Sequence, residues 1–109
     1  MLVLYRPEGS VVFMGSAIVF VLDANARLGI IAPRDVDIVR GEVLLRVVEE
    51  ELHVTGISRE ERGVLLHAQA LLRDASAKPE ALAAVCAQPE LQELLHSTKA
   101  VERQQGAAV

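Results

Sequence analysis

Two short β-type stretches in this chain each run directly into an arginine. One is Met1-Leu2-Val3-Leu4-Tyr5-Arg6 at the start, and the other is Val36-Asp37-Ile38-Val39-Arg40, where strand-like sequence gives way to helical sequence. A guanidinium is a planar, permanently charged fork, and at a strand end it suits a phosphate or a guanine edge. Other reactive groups are sparse. His53, His67 and His96 lie 14 and 29 residues apart, so no pair has the spacing of a short metal motif. They read as histidines on solvated helix faces or at helix interfaces. Cys86, the single cysteine, sits in Ala83-Ala84-Val85-Cys86-Ala87 without a basic neighbour and reads as a small buried side chain, not a nucleophile. Glu49-Glu50-Glu51 reads as a solvated helix face, and the seven glycines are too scattered for a phosphate-cradling loop. The expectation is a non-enzymatic protein without cofactor or metal.

The totals narrow the partners. At 109 residues the chain makes one domain, or a small domain with an appendage. It is 51% apolar but only 3% aromatic, so its core must be built from Val, Leu, Ile and Ala. Through Val48 five arginines balance five acids, whereas the remainder carries six basic and ten acidic residues, which places the whole net charge of −4 in the C-terminal half. A surface that coats nucleic acid would be basic throughout, so any such site here is small and local. One cysteine allows no internal disulfide and fits a reducing compartment. The apolar run 11–22 is broken by Gly15-Ser16 and is too short to span a bilayer. The start lacks the pattern of a secretory signal, so a cytoplasmic location is expected.

The elements that must position the two arginines can be read from periodicity. Runs at 2–6, 11–14, 17–22, 27–31 and 36–39 are β-rich and separated by Pro7-Glu8-Gly9, Gly15-Ser16, Asp23-Ala24-Asn25-Ala26 and Ala32-Pro33-Arg34-Asp35, turn-forming residues in each case. This predicts a small five-stranded antiparallel β module. Val11-Val12-Phe13-Met14 and Ile18-Val19-Phe20-Val21-Leu22 are apolar at consecutive positions, which calls for cover on both faces. A module of about 40 residues without disulfide or metal buries too little to stand alone. A second copy is the favoured cover, with the later helices adding to it. From Gly41 the period becomes helical, with Val43, Leu44, Val47, Val48, Glu51 and Leu52 in step and a stop near Thr55-Gly56. Ser58 and Glu61 have capping-box spacing, followed by the stripe Val64, Leu65, Ala68, Leu71, Leu72 and Ala75. Pro79 and Pro89 suit the first turns of short helices over 80–87 and 90–99, the second with Leu91, Leu94, Leu95 and Thr98 on one face. The expected organisation is thus a β domain with the start of the first helix over 1–50, a helical extension over 51–101, and a frayed tail over 102–109: an α+β chain.

Taken in order, Met1-Leu2-Val3-Leu4-Tyr5-Arg6, Gly9, Met14-Gly15, Gly29-Ile30-Ile31-Ala32-Pro33 and Val36-Asp37-Ile38-Val39-Arg40-Gly41-Glu42-Val43 resemble the carbon storage regulator (CsrA/RsmA) family of bacteria. The resemblance covers about residues 1–50. It implies a homodimer with interleaved strands and post-transcriptional regulation through GGA-containing hairpin loops in messenger leaders, with small RNAs that sequester the regulator as further partners. It also implies a site where the first strand of one subunit lies beside the last strand of the other. Carried over by position, Leu4 and Arg6 would contribute from the first strand, and Ala32, Pro33, Ile38 and Arg40 from the other subunit. Arg40 would be the main anchor, Leu4 and Ile38 would touch bases, and backbone near Ala32-Pro33 would read base edges exposed in the loop. Each residue also has a plainer reading. Leu4 and Ile38 fit a core, and Arg6 and Arg40 fit ion pairs with Asp37 or Glu42.

Three departures stand out. The turn before Arg27 is a few residues short, and Pro7 replaces a second basic residue after Arg6. Loss of one phosphate contact should weaken binding and flatten its salt dependence by about one unit of slope. The acidic helical extension is far longer than the family's usual tail, and suits covering the RNA surface, joining dimers or receiving a protein partner. Two functions follow from this: an RNA-binding translational regulator, or a protein-interaction module that keeps the dimer fold, has weak or no RNA affinity, and acts as antagonist or adaptor.

Overall fold

Alternation along Leu2-Val3-Leu4-Tyr5-Arg6 turns Leu2, Leu4 and Arg6 inward and leaves Val3 and Tyr5 outside, which defines strand β1 (Leu2–Arg6). In the computed structural model, which describes residues 1–74 and 77–96, β1 is followed by β2 (Val11–Met14), β3 (Ala17–Phe20), β4 (Ala26–Ile30) and β5 (Ile38–Arg40). Helices α1 (Gly41–Leu52), α2 (Arg59–Arg73), α3 (Pro79–Cys86) and α4 (Pro89–Leu95) complete the α+β chain. Ala75, Thr98, the end of the last expected helix and the tail 102–109 lie outside the described residues.

The strands form two antiparallel sheets, β1-β4 and β3-β2-β5. In the first, Tyr5 stands opposite Arg27 and Val3 opposite Gly29; in the second, Phe13 stands opposite Ile18 on one side and Val39 on the other. The consecutive apolar residues of β2 and β5 are explained by two cores. Val12 and Ile38 point into a cluster with Leu2, Leu4 and Ile30, between the sheets. Phe13 and Val39 point the other way, into a larger cluster with Leu44, Val48, Leu65, Leu82, Leu91 and other helical residues. The helices therefore cover the outer face of β3-β2-β5, while the outer face of β1-β4 carries exposed Val3 and Tyr5.

Local chemistry sets the boundaries. Gly15 has φ +58°, a left-handed conformation that costs glycine nothing and closes the β2-β3 turn. Gly41 lets α1 start against β2, because a Cβ there would lie 2.6 Å from Val11 Cγ1 and 3.1 Å from the Val11 carbonyl oxygen. Ser58 caps α2 by accepting from the Glu61 N–H at 3.0 Å, and Pro79 and Pro89 open α3 and α4 in the first turn. β5 begins two residues later than the sequence predicts. The Val36 N–H closes a turn onto the Pro33 carbonyl, and the Asp37 carbonyl accepts from Gly15, so both belong to the preceding loop. His96, just past α4, hydrogen-bonds through Nδ1 to the Asp37 carboxylate, fastening the end of the described helices to that loop. Cys86 is buried, and that burial pushes its thiol pKa up to about 11.

Candidate functional site

The two strand-end arginines converge on one carboxylate within a single chain. Glu42, in the first turn of α1, accepts from Arg6 Nη1 at 2.5 Å and from Arg6 Nη2 at 2.7 Å, a fork-to-fork geometry that gives both strength and direction. Arg6 Nη2 also reaches the Val11 carbonyl at 3.3 Å. Arg40 ends β5 and precedes α1, with its Nε 3.8 Å from the same carboxylate. The two arginines differ in setting. The Arg6 side chain is 4% exposed, while that of Arg40 is 40% exposed. Arg6 Nε is buried and has no hydrogen-bond partner among the described residues.

Glu42 itself feels opposed effects. Burial raises its carboxyl pKa, but hydrogen bonds from Arg6 and from its own backbone, with the charges of Arg6 and Arg40, outweigh this and hold it below the ordinary 4.5. The Glu42 carboxylate is therefore ionised throughout the neutral range.

The remaining expected residues sort by depth. Leu4 and Ile38 are both buried in the cluster between the sheets, and Ala32 packs partly against it. Pro33 is exposed in the loop after β4. Leu4, Ile38, Ala32, Arg6 and Arg40 thus gather around the inner side and end of the β module, whereas Pro33 lies on its rim. Within one chain, Leu4 and Ile38 pack as core and Arg6 is an ion-pair partner of Glu42. Arg40 is the most accessible cation of the set.

Strand edges complete the geometry. Among the described residues β1 has β4, and β5 has β2, as its one strand neighbour. Each arginine-bearing strand therefore presents a second edge to an incoming strand. An exposed edge is a template for pairing with another chain.

Comparison with known proteins decides what kind of module this is. Residues 1–49 match CsrA, described as a global regulator protein family. Residues 1–49, from β1 into α1, are a CsrA-like module. No curated protein and no solved structure matches the chain. The CsrA-family match ends within α1, so the rest of α1 and the whole of α2 to α4 are an extension to the module, held to it by the shared core around Phe13 and Val39. Among the described residues no helix is long and apolar enough to cross a membrane.

Sequence reasoning passed over two residues on the module's open face. Tyr5 is 73% exposed and is the only tyrosine of the chain. Arg27, opposite it on β4, is also exposed. The outward position of Tyr5 in an alternating strand was the available signal.

Proposed function

We propose that the chain is an RNA-binding translational regulator that acts as a homodimer and recognises GGA-containing hairpin loops in messenger leaders. The observation that carries this reading is that β1 and β5 each end in an arginine and each offer an edge. Pairing β1 of one copy with β5 of another extends the two- and three-stranded sheets into one five-stranded sheet. It also sets the end of β1 beside Arg40 of the second copy. Arg40 then anchors phosphate or a guanine edge, Leu4 and Ile38 lie beneath the bases, and the Ala32-Pro33 loop supplies backbone groups at the rim. Arg6 contributes charge from below, oriented by Glu42. The reaction is recognition, with no covalent step, and the protein works by occupying the message.

One observation favours a second reading. Arg6 is committed to Glu42, and Pro7 leaves no basic residue after it, so the site holds fewer available cations than the family pattern. A module of this kind that binds protein instead of RNA would act as an antagonist or adaptor. A mobility-shift titration with a GGA hairpin separates the two. The regulator reading expects binding at low salt and a loss of about 5- to 100-fold in Arg40→Ala, the range for one bidentate arginine contact. Absence of wild-type binding, or equal binding by the variant, favours the second reading.

A further inference from the structure

The outer face of β1-β4 is exposed at Val3 and Tyr5, and it carries an aromatic ring and a cation side by side. Tyr5 and Arg27 are directly opposite in the β1-β4 register, and both are exposed. Arg27 makes no ion pair among the described residues, so its guanidinium is available. Together with Arg6, Pro7, Asn25 and Ala26 they line a concavity of about 490 Å³, and no carboxylate is among the lining residues. Its rim is fixed where Asn25 Oδ1 accepts from the Glu8 N–H at 3.1 Å, tying the β1 end to the turn before β4.

We infer that Tyr5 and Arg27 form a stacking platform for one unpaired base of the bound RNA, next to the site at the strand-end arginines. Every nucleobase has a π face, so a tyrosine ring accepts any base, and an arginine beside it adds a cation for the base or its phosphate. The charge of the concavity suits a polyanion: its only ionised lining groups are the two arginines. Arg6 is held from beneath by Glu42, so Arg27 is the one that faces the ligand. The platform also offers a cation on the same end of the module where Pro7 removes one. This inference rests on the RNA-binding reading and extends it by a base outside the loop-recognition residues.

The chain contains one tyrosine and no tryptophan, so its intrinsic emission reports on Tyr5 alone. The probe is a GGA hairpin with unpaired nucleotides flanking the loop motif, added to the full chain. Expected results are a saturable fall in tyrosine emission, affinity within about twofold for Tyr5→Phe, and a loss of about 5- to 100-fold for Tyr5→Ser. Because Tyr5 is exposed, neither substitution touches the core. If RNA binds with emission unchanged, or Tyr5→Ser binds as tightly as wild type while Arg40→Ala does not, the platform is wrong and the regulator reading stands. If wild type binds no RNA, both fail.

Discussion

Removal of residues 55–109 is expected to leave a chain that neither folds cooperatively nor stays soluble. The cut takes away Leu65, Leu82, Leu91 and Leu95, all buried in the core that covers Phe13 and Val39. At about 1.5–3 kcal/mol per buried leucine these four alone amount to about 6–12 kcal/mol, comparable to the whole stability of a domain. The cut also bares the apolar face of α1, where Val43, Leu44, Val47 and Val48 meet the other helices. Far-UV circular dichroism during thermal unfolding, with size-exclusion chromatography, checks this. A soluble truncated protein with a sharp transition would show that the CsrA-like module stands without its extension, and that the helices only rest on it.

Glu42→Ala is expected to cost about 3 kcal/mol, the low end of the range for breaking a buried pair because Glu42 is itself half exposed. The substitution strands the guanidinium of Arg6, which is 4% exposed and keeps only the Val11 carbonyl. For a domain of this size the midpoint of thermal unfolding should fall by on the order of 15 °C. Replacing both partners, as in Arg6→Met with Glu42→Ala, should cost less than Glu42→Ala alone, since no buried charge is then left without a counterion. Acid gives the same answer by titration. The Glu42 pKa is lowered in the folded state, so its contribution is complete above the unfolded value of 4.5 and is lost as pH falls through the folded one. Glu42→Gln should therefore lose less stability than wild type between neutral pH and the acid limb. An equal loss would place the acid sensitivity elsewhere.

The strand pattern was readable because turn residues punctuate it, and Ser58 with Glu61 announced α2 through capping chemistry that is local in sequence. The start of β5 was harder, since the Gly15 N–H that engages the Asp37 carbonyl comes from a turn far back in the chain. Two-sided cover of β2 followed from Val11-Val12-Phe13-Met14, but which body covers which face did not. Periodicity reports that a face is apolar, and the helices over Phe13 and Val39 are visible only in three dimensions. The same holds at the site. Arginine is seldom buried, and the partner that draws Arg6 inside lies 36 residues away. Sequence alone made Arg40 the main anchor and named Glu42 or Asp37 as an ion-pair partner, but not how deep either arginine lies. Within the fold Arg6 braces Glu42 from the inside, while Arg40 stands at the surface.

If RNA binds where the strand edges of two copies meet, native mass spectrometry of the full chain with a GGA hairpin shows it in the stoichiometry. Expected are a protein dimer without RNA and a complex of two chains with two hairpins at saturation. A monomer that carries one hairpin, or a dimer that carries none, would contradict it.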